Sequence, residues 1–102
     1  MKIYISGKIT GDPNYKAKFK AAAERLEAAG HIALNPAILP PGMSNVDYMR
    51  INFAMMDAED WVLFLPDWED SRGAELERMW CRYVGKQYFS DIEYILDLLQ
   101  WD

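Results

Sequence analysis

Trp61-Val62-Leu63-Phe64-Leu65 is an unbroken apolar run closed by Pro66. A run of that length without polar alternation suits a strand covered on both faces, as in a parallel sheet. Upstream, Lys2-Ile3-Tyr4-Ile5-Ser6 is β-branched and aromatic and stops at Gly7, so it reads as the first strand. Between these two strands the spacing changes. Asp12 offers an N-cap and Pro13 a first helical position. Phe19, Ala22, Ala23, Leu26 and Ala29 then recur at helical spacing up to Gly30. His31–Asn35 reads as a second strand closed by Pro36, and Ser44 caps a second helix from about Val46 to Ala58. Downstream, Ser71 caps a third helix with the apolar stripe Leu76, Trp80, Tyr83 and Val84, ended by Gly85. Gln87–Phe89 is a short fourth strand. Ser90-x-x-Glu93 reads as a capping box before a last amphipathic helix carrying Ile92, Ile95, Leu96 and Leu99.

Strands that alternate with helices predict an α/β fold: a small doubly wound parallel sheet of about four to five strands with helices on both faces, flavodoxin- or Rossmann-like. With 102 residues and no linker, repeat or low-complexity tract, residues 1–102 are expected to form one domain. Hydrophobic residues make up 51% and charged residues 26%, a globular composition. The net charge of −5 argues against polymeric nucleic acid or an anionic membrane as partner, while leaving room for a local cation to grip one phosphate. Cys81 is the one cysteine and His31 the one histidine, which excludes an internal disulfide and any Cys- or His-rich metal site. Neither metal nor cofactor is assigned. No signal sequence or membrane span is read, so the expected location is cytoplasmic.

In parallel sheets ligands bind beyond the carboxyl ends of the strands. Three loops answer to that rule, and the unusual residues gather in them. Ser6-Gly7-Lys8-Ile9-Thr10-Gly11 places two glycines and a lysine in a strand-to-helix turn, a cradle for an anion or simply a tight turn with an exposed lysine. Its spacing matches neither GxGxxG nor a Walker A loop. Ser71-Arg72-Gly73-Ala74-Glu75-Leu76-Glu77 opens a helix with small residues, so a ligand can approach its free N–H groups. Acidic residues there also serve plain helix stabilisation. Taking Gly73, Leu76, Trp80 and Tyr83 as the core stripe puts Glu77 on its flank and Glu75 further toward water, which favours Glu77 as the functional carboxylate. Trp68 is placed either to stack on a base or sugar or to cover a sheet edge. Asn52 interrupts a helix and can hydrogen-bond a ligand; Asp57 and Asp60 read first as solvated residues that end a helix.

These features together resemble the nucleoside 2-deoxyribosyltransferase-like superfamily, in particular its small phage and bacterial branch. The resemblance runs from Tyr4 to about Lys86. It is carried by Tyr4-Ile5-Ser6-Gly7-Lys8-Ile9-Thr10-Gly11, by Asn35-Pro36, by Asp60 ahead of the third strand, and by Leu65-Pro66-Asp67-Trp68-Glu69-Asp70-Ser71-Arg72-Gly73-Ala74-x-x-Glu77. It implies scission or exchange of the N-glycosidic bond of a (deoxy)nucleoside 5′-monophosphate. Glu77 would be the nucleophile with Tyr4 beside it, and Asn52 and Asp60 the other catalytic positions. The 5′-phosphate would lie on Ser6, Gly7, Lys8, Ile9, Thr10 and Gly11 and on Ser71 and Gly73, with Trp68 against the nucleoside. Asn52 stands where the family carries an aspartate, and an amide cannot shuttle a proton. Asp60, Asp67 or Asp70 must then supply the acid, or turnover is weak, or the protein only binds nucleotide. The resemblance also implies a homodimer or higher homo-oligomer whose site takes a residue from the neighbouring subunit. Nothing in Ser90–Asp102 matches that residue, and the second or last helix is the expected contact. An inert, partner-binding α/β domain is the reading opposed to both nucleotide hypotheses.

Overall fold

Residues 3 and 5 of β1 (Lys2–Ser6) turn to one side of the sheet and residues 4 and 6 to the other, as strand geometry requires. Tyr4 and Ile3 are both fully buried, so each side of the strand is covered. The computed structural model describes residues 1–99, except the side chain of Leu99. That side chain, part of the predicted last stripe, and residues 100–102 lie outside the described residues.

Four strands run parallel in the order β2-β1-β3-β4, with β2 Ile32–Leu34, β3 Trp61–Phe64 and β4 Tyr88–Phe89. The helices are α1 (Tyr15–Ala28), α2 (Asn45–Asp57), α3 (Arg72–Val84) and α4 (Ile92–Leu99). The fold is therefore the small doubly wound α/β architecture expected from the alternation. Ile3, Ile5, Leu63 and Leu65 pack with Phe19, Ala22, Ala23 and Leu26 of α1 and Ile95 of α4 on one face. Tyr4, Val62 and Phe64 pack with Met56 of α2 and Cys81 of α3 on the other. Strand order reverses between β1 and β3, and Ser6 pairs in register with Phe64. The loops that leave those two strands therefore lie side by side at the topological switch point.

Several local expectations change. α1 begins at Tyr15 rather than at Pro13. Asp12 does not cap it, because its carboxylate accepts from the Asn14 N–H at 2.8 Å and from Lys18 at 2.7 Å. Ser44 and Ser71 do cap α2 and α3, through the N–H groups of Asp47 and Ala74. α4 is capped by Asp91, not Ser90: its side chain takes the Glu93 N–H at 3.0 Å, while the Glu93 carboxylate pairs with Arg25. The largest correction concerns α3. Its buried residues are Ala74, Glu77 and Cys81, whereas Leu76, Trp80, Tyr83 and Val84 are exposed. The apolar stripe faces outward and a glutamate faces in.

Among the described residues no helix is long and apolar enough to cross a membrane.

Candidate functional site

A cleft of about 560 Å3 opens at the carboxyl end of the sheet. Its walls come from the β1–α1 loop, the loop between β2 and α2, α2 itself and the start of α3. Its polar lining includes Tyr4, Ser6, Asn52 and Glu77. Ser6 is the last residue of β1 and points with Tyr4 toward α3. One turn into α3, the same face that buries Ala74 and Cys81 delivers Glu77 beneath the cleft. Asn52 shares its face of α2 with Met56, one turn on, and is held the same way.

Glu77 is 4% exposed. Ser6 Oγ donates to its Oε1 at 3.3 Å. Burial pushes the carboxyl up to about 7, and the nearby hydroxyls of Tyr4 and Ser6 pull against that rise. Tyr4 Oη and Glu77 Oε2 are both buried without a hydrogen-bond partner. Burial, then the Glu77 charge, raises the Tyr4 phenol well above its usual range, so it stays a donor. Asn52 is 8% exposed and its Oδ1 has no partner. A buried polar atom without a partner costs about 1–3 kcal/mol. Carboxylate and amide thus each keep one buried acceptor without a partner, in residues that line the cleft.

The loops around this lining are tied to one another. A Cβ on Gly7 would lie 3.0 Å from Leu65 Cδ1 and 3.2 Å from Asp67 Oδ1, so a side chain there would make both neighbours give way by a few tenths of an ångström. Lys18 reaches across from α1 to the Lys8 carbonyl at 3.0 Å and to the carboxylates of Asp12 and Asp67. Burial lowers its ammonium, but the two carboxylates outweigh that and raise it above the usual lysine value. At the other side Ser71 Oγ accepts the Ala74 N–H at 3.2 Å. The N–H groups of Arg72 and Gly73, in the open first turn of α3, belong to residues lining the cleft.

Of the residues singled out in the sequence, Tyr4, Ser6, Gly7, Ile9, Thr10, Asn52, Ser71, Gly73 and Glu77 line the cleft. Four do not. Lys8 gives its N–H to Asp67 Oδ1 at 3.1 Å and is part of the loop's own scaffold. Gly11 serves the turn, at φ +82°. Trp68 packs edge-on against Phe64, with the Arg78 guanidinium 4.6 Å from its ring centre. Asp60 sits at the opposite end of the sheet, where its carboxylate takes the Lys2 N–H at 2.8 Å and is held below the usual carboxylate range by that bond. Asp67 is occupied by Lys18, which leaves Asp70 as the alternative acid that lines the cleft.

Sequence reasoning missed Arg72 and Tyr48. Among the described residues Arg72 is the one cation lining the cleft, and its place directly after the cap of α3 was the available signal. The Tyr48 hydroxyl donates to the Pro40 carbonyl and accepts the Met43 N–H, folding the proline-rich loop onto α2. No residue type in that loop announces this. Among the described residues no group of three or more His, Cys, Asp or Glu could hold a metal ion.

The chain belongs to the family described as Domain of unknown function (DUF4406), whose model matches residues 1–89. That span contains every residue lining the cleft and ends with β4. No curated protein and no solved structure matches the chain.

Proposed function

We propose that this protein cleaves or exchanges the N-glycosidic bond of a (deoxy)nucleoside 5′-monophosphate, with Glu77 as nucleophile. The observation that carries the reading is a buried carboxylate with one free oxygen, lining a cleft at the switch point of a parallel sheet. The likeness of the glycine turn and the Ser71-to-Glu77 segment to the nucleoside 2-deoxyribosyltransferase-like superfamily supports the choice of substrate.

In its ionised form Glu77 Oε2 attacks C1′ of the sugar through an oxocarbenium-like transition state. The C1′–N bond breaks, its electron pair leaves with the base, and the base takes a proton. Water, or a second base, then attacks C1′ of the glycosyl ester and restores the carboxylate. Ser6 donates to the carboxylate and the nearby Tyr4 hydroxyl favours its ionised form, steadying it before attack and after release. The leaving base requires an acid, and Asp70 at the cleft is the carboxyl group in position to supply one. Asn52 hydrogen-bonds sugar or base without moving a proton. Arg72 and the first N–H groups of α3 take the phosphate role that the sequence assigned to Lys8. A nucleotide substrate fits the cytoplasmic location read from the sequence.

The test is incubation with a panel of ribo- and deoxyribonucleoside monophosphates and chromatography for free base. Wild type should release base, at a rate that rises with pH through about 7 as Glu77 ionises, and Glu77→Gln should not. Equal release by both ends the proposal. A nucleotide-binding module without turnover is the second reading. It is favoured by Asn52 in place of an acid and by the absence of Asp60 and Asp67 from the cleft lining. Calorimetric binding of a monophosphate that stays intact on prolonged incubation would select it.

A further inference from the structure

Asn52 and Glu77 hold matching places on two helices that lie side by side. A Cβ on Gly73 would meet Met49 Sδ at 3.3 Å, and Cys81 Sγ lies 3.8 Å from Met56 Sδ. The first contact joins α2 to α3 at one level, and the second joins them about two turns further on. At 1.5 Å of rise per residue, Asn52 stands about 4.5 Å beyond Met49 along α2, and Glu77 about 6 Å beyond Gly73 along α3. Each is thus near the midpoint between the two contacts, and each is buried. Their polar atoms are left incomplete there. Ser6 donates to Glu77 Oε1, while Glu77 Oε2 and Asn52 Oδ1 are buried without a partner. Met49 and Met56, three and four residues from Asn52, are thioethers with no hydrogen to give. A buried acceptor of this kind, in a residue lining the cleft, calls for a donor from outside the chain.

Stereochemistry at the sugar says which donor that is. A carboxylate that displaces the base reaches C1′ from the face opposite the base. In a ribonucleotide the 2′-hydroxyl lies on that same face, one carbon from C1′. The side chain beside the nucleophile is therefore the one that meets it. A carboxamide fits a hydroxyl in either orientation, with Oδ1 accepting from it or Nδ2 donating to it. A 2′-deoxy sugar has only C–H bonds at that carbon and leaves the amide unpaired. The 3′-hydroxyl is one carbon further on and is common to both sugars. The uncharged amide also suits its place, since a second carboxylate here would set like charges together beside the buried Glu77.

We infer that Asn52 selects a ribonucleotide over a deoxyribonucleotide, by hydrogen-bonding the 2′-hydroxyl beside Glu77. The inference rests on the cleft being a nucleoside monophosphate site and narrows the sugar that it takes. Selection in this direction is the kind that a hydrogen-bonding site performs well. An analogue that lacks the hydroxyl leaves the site's own buried polar group unpaired, whereas an apolar pocket rejects an added hydroxyl only weakly.

Calorimetry on Glu77→Gln, which lacks the nucleophile and leaves each ligand intact, decides it. The probes are AMP, dAMP and the arabinosyl epimer of AMP, with the three cytosine counterparts beside them. The ribonucleotide should bind about tenfold or more tighter than the deoxyribonucleotide. The arabinosyl epimer carries its 2′-hydroxyl on the opposite face and should bind no better than the deoxyribonucleotide. Adding Asn52→Leu, which keeps the branched shape without polar atoms, or Asn52→Ala should bring the ribo-to-deoxy ratio to about one. Equal binding of the two sugars overturns the inference, as does a preference that the arabinosyl epimer shares or that survives both Asn52 substitutions. A changed preference between adenine and cytosine with the sugar ratio intact would place Asn52 on the base and overturns it too. Binding of none of the probes overturns the inference together with the nucleotide reading. A ribose preference that depends on Asn52, in a protein whose wild type releases no base, upholds the inference and refutes turnover alone.

Discussion

Replacing Glu77 by Gln should make the protein more stable at pH 8 and leave it nearly unchanged at pH 4.5. The carboxyl is raised from 4.5 to about 7 by burial in the fold, opposed by the Tyr4 and Ser6 hydroxyls. The folded state thus holds this proton more tightly than the unfolded chain does. Below pH 4.5 both states are protonated and the group contributes nothing. Between 4.5 and 7 the unfolded chain releases its proton first, so stability falls as pH rises, and above about 7 the penalty is complete. At 1.36 kcal/mol per unit the full penalty is about 3 kcal/mol. Gln keeps the shape and carries no charge to desolvate. Urea titrations of wild type and Glu77→Gln at pH 4.5 and 8 should therefore diverge only at the higher pH, by about 3 kcal/mol, or on the order of 10 °C in Tm. A difference of the same size at both values would show that the side chain acts through packing rather than charge, and would refute the reasoning. Glu59, also raised to about 7 by burial against the pull of Lys86, adds a slope of the same sign to both proteins and cancels in the comparison.

Gly7→Ala should destabilise the fold by about 1–3 kcal/mol, read by thermal melting, because its Cβ would meet Leu65 at 3.0 Å. An unchanged Tm would show that the ends of β1 and β3 part freely. Lys18→Met should cost about 1–2 kcal/mol and speed amide exchange in both the β1–α1 and β3–α3 loops, since one ammonium holds Asp12, Asp67 and the Lys8 carbonyl. Exchange confined to one loop would refute the link. Arg72→Ala should weaken binding of a nucleoside monophosphate about tenfold or more by calorimetry, and leave binding of the bare nucleoside unchanged. An equal loss for both ligands would remove Arg72 from the phosphate.

The fold was legible because its signals are redundant. The apolar run at 61–65, the capping serines and the glycines after α1 and α3 each mark a boundary by a separate physical cause. Placement of Glu77 in the cleft was legible only in part. The helical wheel selected it over Glu75, yet through a stripe that turned out to face solvent. Hydrophobic spacing reports an apolar face without saying whether the sheet or solvent lies against it, so an exposed stripe reads as a core. The surroundings of Lys8 were illegible for a related reason. A lysine in a glycine turn suggests an anion site, and the bonds that Asp67 and Lys18 make to the Lys8 backbone come from residues distant in sequence. Tyr48 and the walls from residues 36–42 depend on a tertiary contact that local propensity does not encode.

The two faces of the sheet divide the work. Against α1 and α4 the buried cluster is wholly apolar, from Ile3 through Phe19 and Leu26 to Ile95. Every buried polar or charged residue described, Ser6, Asn52, Glu59 and Glu77, comes instead from the end of β1, α2, α3 or the turn that closes α2. A carboxylate held near neutrality and two unpartnered acceptors lower stability, and such a cost persists where the surroundings hold it in place. The apolar face supplies that support, since Ile3 and Ile5 anchor the same strand that presents Tyr4 and Ser6 to Glu77. Loss of packing under α1, for example through Phe19→Ala, should therefore lower stability by several kcal/mol and disturb the Ser6–Glu77 contact across the sheet. The reverse does not follow: removing the charge of Glu77 relieves one face and leaves the other as it was.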